Sequence, residues 1–167
     1  ETGSYTYAPR NLRKISYAND ADGNILFGKK DLSIINGVES NSDQHSPILG
    51  WAYDGNPIYG PFGYSEPNNI NSPLKIISSS YKKDITKVIN RPNGFIDGFF
   101  IDDYIFDNSG DLDVHNGRFC KTPEFPNGIY AYFATAGLST TTNKLEGRYP
   151  YFIGNTYRSP LINDNLI

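Results

Sequence analysis

The stretch Gly128-Ile129-Tyr130-Ala131-Tyr132-Phe133-Ala134-Thr135 decides the fold class. It is dense in aromatic and β-branched residues and is entered through Pro126-Asn127, a turn signal, so it reads as a strand. Alternate residues of a strand share a face. Ile129, Ala131 and Phe133 therefore line one side, and Tyr130 and Tyr132 line the other. The first side is wholly apolar. The second carries two phenol hydroxyls.

The rest of the chain repeats this grammar in shorter words. Ile48 to Trp51 reads as a strand, Asp54-Gly55-Asn56-Pro57 as a turn, and Ile58 to Pro61 as a second extended piece. Ile25 to Phe27 and Leu32 to Val38 are short strand candidates. Leu74–Ile77 and Ile85–Ile89 fit a strand or a short helix. Phe95 to Phe106 is the strongest apolar run, interrupted by Asp97, Asp102 and Asp103. Residues 39–46, 64–73, 108–117 and 139–142 read as polar loops, and Tyr149 to Gly154 closes the domain.

Composition agrees with that reading. Gly, Pro and Asn supply 45 of 167 residues against only 7 Ala, which disfavours long helices. The expected fold is mainly β: a compact β-sandwich or irregular barrel with long loops and little helix. A chain that is 38% hydrophobic and 14% aromatic is too apolar for disorder. No apolar run approaches the roughly 18 residues of a membrane span, so no membrane insertion is expected. The net charge of −3 without a basic tract argues against nucleic acid as a partner.

The domain reading is a single unit over residues 4–160. Residues 1–3, Glu1-Thr2-Gly3, read as a remnant of recombinant expression after signal-peptide cleavage. Residues 161–167 read as an exit segment toward a following domain. The chain holds no Met, which fits a module excised from a longer protein. Its single cysteine, Cys120, cannot form an intrachain disulfide.

Most catalytic signatures are missing: there is no Gly-x-Ser-x-Gly, no phosphate loop, no His-Glu-x-x-His and no Cys-x-x-Cys. No catalytic residue and no cofactor are expected. Cys120 lies five residues after His115, so a thiolate activated by an imidazole is one reading; a small buried core cysteine is the stronger one. Asp107, Asp111 and Asp113 alternate with polar residues and are weak candidates for a Ca²⁺ loop. The twelve-residue calcium template requires Gly where Leu112 stands, so a solvated turn is preferred.

Three segments carry a family resemblance. His45-Ser46-Pro47-Ile48-Leu49-Gly50-Trp51-Ala52-Tyr53-Asp54-Gly55-Asn56-Pro57-Ile58-Tyr59-Gly60-Pro61 resembles the first block of the YHYH domain family. Gly110-Asp111-Leu112-Asp113-Val114-His115-Asn116-Gly117-Arg118 is similar to the second. Thr122 to Thr135, with Tyr149-Pro150-Tyr151-Phe152-Ile153-Gly154, resembles the third. Gly94-Phe95 to Phe106 and Phe119-Cys120-Lys121-Thr122-Pro123 resemble the variants found in large structural proteins of cyanobacterial tailed phages.

The family is named for a Tyr-His-Tyr-His string, and this chain departs from it, reading Tyr130-Ala131-Tyr132-Phe133. Two His at i and i+2 would share a strand face at a spacing suited to a metal. Ala131 and Phe133 make that face apolar, so no metal is expected here. His45, Asp54, Tyr59, Asp113, His115, Asn116 and Arg118 all fall inside the matching blocks. They are expected to form a buried polar network tying loops together, with a ligand pocket as the alternative.

The resemblance implies a non-catalytic structural or adhesion module of a phage tail, baseplate or fibre protein, located in the virion or outside the cell. Its partners would be other virion proteins, neighbouring domains of a longer chain, a host-surface glycan, or a second copy of itself. Two alternatives stand beside it. One is a carbohydrate-binding module using exposed Tyr and Trp rings. The other is a metal-dependent enzyme with His45, His115 and Asp113 as ligands.

Overall fold

A computed structural model describes residues 34–35, 38–39, 45–85, 98, 100–141 and 145–160. The strand candidate at Ile25 to Phe27, most of Ile85–Ile89 and both terminal segments lie outside these residues. The described chain is mainly β, with short strands in several small sheets, long loops and no closed barrel. The mainly β expectation therefore holds, and among the described residues the sheets do not close into a barrel.

Among the described residues, twelve strands run in chain order: β1 Ile34–Ile35, β2 Val38–Glu39, β3 Ile48–Trp51, β4 Pro57–Tyr59, β5 Phe62–Tyr64 and β6 Leu74–Ile76; then β7 Tyr81–Lys83, β8 Tyr104–Phe106, β9 Gly117–Cys120, β10 Ile129–Phe133, β11 Ala136–Leu138 and β12 Leu145–Gly147. One 3-10 turn, Ile101–Asp103, precedes β8. The apolar run at Phe95 to Phe106 is thus not one strand. The buried carboxylate of Asp103 accepts the backbone N–H of Gly98 and of Phe100, and so folds the run back on itself.

The main sheet has four strands in the order β3-β4-β10-β9. β10, the strand read first from the sequence, is the longest of the described strands. It pairs in parallel with β4, placing Tyr132 beside Ile58 and Phe133 beside Tyr59. It pairs antiparallel with β9, placing Tyr130 opposite Phe119, Ala131 opposite Arg118 and Tyr132 opposite Gly117. The parallel pair requires a long crossover from β4 to β10. β5-β6 and β7-β8 lie within that crossover as separate antiparallel ribbons.

The inner face of β10 forms the core, as its alternation dictates. Ala131 and Phe133 are fully buried with Tyr59, Ile77, Leu112 and Cys120, and Ile48 and Ile129 pack at the edge. The Tyr59 and Phe133 rings stack at 5.8 Å. Removing an aromatic ring from such a site costs about 3–5 kcal/mol, because the cavity only partly collapses. Ser46 ties the start of β3 to β5: its hydroxyl accepts the N–H of Phe62, and its own N–H donates to the Phe62 carbonyl, each at 2.9 Å.

Candidate functional site

The outer face of β10 has a different character. Tyr130 and Tyr132 project there, their rings edge to face at 5.4 Å. Gly117 sits opposite Tyr132 on β9, and a Cβ at Gly117 would collide with the Tyr130 ring. A glycine is needed at that position to admit the phenol.

Each hydroxyl meets an aspartate from a distant loop. The Tyr130 hydroxyl donates to the Asp113 carboxylate, 2.9 and 3.0 Å from its two oxygens. The Tyr132 hydroxyl donates to Asp54 Oδ2 at 2.7 Å. Burial, together with the carboxylate each one faces, pushes both phenols well above the ordinary tyrosine range. Burial would also raise the Asp54 carboxyl, but bonds from Tyr132, Asn56 and the Ser159 N–H hold it below the ordinary value.

The two aspartates organise their own loops as well. Asp54 accepts the backbone N–H and the side-chain amide of Asn56, an Asx arrangement that shapes the turn before β4. Asp113 accepts the backbone N–H of His115 at 2.9 Å and of Gly117 at 3.3 Å. Asn116, fully buried with φ of 64°, donates its amide to the carbonyls of Phe133 and Phe152. Asparagine tolerates this left-handed conformation better than most residues, and here it also satisfies two backbone acceptors.

The segment after Gly154 lies across this face. The N–H of Arg158 donates to the Tyr132 hydroxyl at 2.8 Å, and the N–H of Ser159 donates to Asp54 Oδ2 at 3.1 Å. The Arg158 guanidinium sits over the Tyr130 ring, 5.7 Å from its centroid. His115 Nδ1 meets the Thr156 hydroxyl at 2.9 Å.

His45, Tyr59 and Arg118 belong to the inner face. The His45 ring packs against Tyr59 and Tyr64, each at 5.0 Å, and lies 6.1 Å from Phe133. Its Nδ1 bonds the Ser46 carbonyl at 2.8 Å, so Nδ1 carries the proton. Burial pulls the His45 imidazole below its ordinary value; the adjacent Arg118 charge acts the same way, while Glu124 and the Ser46 bond oppose it. Arg118 donates to the Tyr64 carbonyl at 2.7 Å and lies over the Phe133 ring at 5.2 Å. The Tyr59 hydroxyl donates to Glu124 at 3.0 Å and shares a 2.9 Å bond with Thr122.

The sheet thus divides the residues singled out from the sequence. Asp54, Asp113, His115 and Asn116 gather toward the outer face and its loops. His45, Tyr59 and Arg118 lie on the inner side with the core. The metal triad of His45, His115 and Asp113 is split by the strand, and among the described residues no cluster of three His, Cys, Asp or Glu could hold a metal ion. Asp107, Asp111 and Asp113 likewise take separate partners. Asp107 pairs with Lys82 at 2.8 Å, and hydrogen bonding from that ammonium and from Ser109 pulls its carboxyl down to about 2. Asp111 binds Lys75 and Ser78, and Asp113 binds Tyr130. Cys120 is fully buried, and burial raises its thiol.

The sequence puts Tyr130 and Tyr132 on one strand face without indicating partners for their hydroxyls, and it does not single out Thr156, Arg158 or Ser159. The signal for the tyrosines was their shared face opposite an apolar one. Nothing local marks the others, because Ser159 meets Asp54 across 105 positions.

β10 thus carries the paired tyrosines on one face and the buried core on the other. The YHYH protein family model matches residues 2–147, and the chain belongs to that family. The match spans β10, whose Ala131 and Phe133 are buried in the core. No curated protein matches the chain, and no solved structure does.

Proposed function

We propose that this YHYH domain is a non-catalytic structural or adhesion module of a phage virion protein, serving in a tail, baseplate or fibre. The observation that carries the reading is the use made of the motif strand. Its two hydroxyls are bonded to Asp113 and Asp54, and its other face is packed shut by Ala131 and Phe133. Polar groups satisfied by the fold's own loops stabilise a shape. The resemblance of Phe119 to Pro123 and of the Gly94–Phe106 region to phage structural proteins supplies the virion setting. Antibody raised against the domain should decorate tails of intact cyanophage particles. Failure to find the chain in purified virions by mass spectrometry would remove that setting.

A carbohydrate-binding reading is favoured by one further observation. Trp51 is 53% exposed and meets Phe125 edge to face at 6.4 Å. Tyr53 is 44% exposed and meets Tyr157 in the same way at 6.4 Å. Rings held by such contacts lose little freedom when a sugar stacks on them. Glycan-array binding that vanishes in Trp51→Ala and Tyr53→Ala would support this reading, and a blank array would count against it.

A further inference from the structure

We propose that the outer face of β10 is a binding surface for an extended, arginine-bearing peptide, and that residues 155–160 occupy it in cis as a releasable strap. The face offers acceptors: the Asp54 and Asp113 carboxylates and the Tyr132 phenol oxygen. The strap offers the matching donors, with consecutive backbone N–H groups of Arg158 and Ser159 on Tyr132 and Asp54. The Arg158 guanidinium adds a cation over the Tyr130 ring. This is peptide recognition by main-chain hydrogen bonds with one side chain for selectivity.

Two observations separate a strap from an ordinary chain segment. Asn155, Thr156, Arg158 and Pro160 are exposed and no residue of 155–160 is buried, whereas Tyr132 beneath them is fully buried. The segment's ring contacts, Tyr157 on the exposed Tyr53 and Arg158 over Tyr130, bury none of its side chains fully, so it lies toward the less stable end of the structure. In addition, Asp54, Asp113, Tyr130 and Tyr132 lie within the family match at residues 2–147, while the strap lies outside it. The strap is entered at Gly154, where a Cβ would collide with the Val114 carbonyl, so its path is fixed close against the face.

A tethered segment competes with a free one at an effective concentration of about millimolar. The test uses the isotope-labelled full chain and a capped synthetic peptide of sequence Asn-Thr-Tyr-Arg-Ser-Pro, titrated to several millimolar and followed by amide shifts at Gly117, Tyr130 and Tyr132. Ser159→Pro deletes the N–H that reaches Asp54 and should loosen the strap. The variant should bind the peptide at least tenfold more tightly than the parent chain, and a peptide with Arg→Ala should bind at least fivefold more weakly than the original. If Ser159→Pro does not fold, Arg158→Ala, which keeps every backbone bond, takes its place with the same expected order. Absence of shifts in parent and variant alike, equal affinity in both, or indifference to the peptide's arginine would each overturn the proposal.

Discussion

Tyr132 and Asp54 stand 78 positions apart in the chain and meet hydroxyl to carboxylate at 2.7 Å. That bond joins the central strand to the turn before β4, and the same Asp54 oxygen also receives the N–H of Ser159. One carboxylate thereby ties together the turn before β4, the strand β10 and the segment after Gly154. A bond to a charged acceptor contributes about 1.5–3 kcal/mol, above an ordinary neutral bond.

Asn116 should be the most sensitive polar position of the loop before β9. Asn116→Ala removes two bonds to the Phe133 and Phe152 carbonyls and leaves a residue with a Cβ at φ of 64°. Two lost bonds at about 1 kcal/mol each and roughly 1 kcal/mol of left-handed strain predict a loss of about 3 kcal/mol. Asn116→Gly should recover about 1 kcal/mol of that, since only the strain is relieved. Urea denaturation of the three proteins measures both differences.

Acid should weaken the domain in two separable windows. His45 has a folded pKa below its unfolded value of 6.5, so the unfolded chain takes up its proton first. Stability therefore begins to fall as pH drops through 6.5, and the loss continues until the folded pKa is passed. Asp54 is also lowered, from 3.8, so its contribution is intact above that value and is lost further down. Unfolding free energies from pH 7.5 to 5 should decline in the parent chain. In His45→Phe that slope should be reduced, while the drop below pH 4 remains.

Cys120 should behave as a core residue in solution. It is fully buried and its thiol is raised by burial, so the reactive thiolate is scarce at neutral pH. A colorimetric thiol reagent should modify the native chain at least a hundredfold more slowly than the chain in urea. Comparable rates in both conditions would restore the reading of an activated cysteine near His115.

The parts of this molecule that the sequence discloses are those governed by local rules. Alternation at Ile129 to Phe133 identified both the strand and its two faces, because period-two patterning follows directly from backbone geometry. The Asp54-Gly55-Asn56-Pro57 turn was equally visible, since its side chains bond their own backbone. The grouping of polar residues was not visible in the same way. His45, Asp54 and Asp113 share recognisable blocks, yet the sheet separates His45 from the two aspartates, and no spacing rule encodes which side of β10 a loop will reach. The alternating Asp107, Asp111 and Asp113 suggested a shared cation, whereas each found its own partner from β7, β6 or β10. Contacts such as Ser159 to Asp54 leave no trace in local pattern, because chain closure over 105 positions is set by tertiary packing alone.

The tyrosines of β10 are pins whose partners are the loop aspartates Asp113 and Asp54. A double-mutant cycle of Tyr132→Phe and Asp54→Asn, read by urea unfolding, tests it most directly. A coupling of about 1.5–3 kcal/mol is expected between the two positions. Strictly additive losses, with coupling near zero, would contradict it.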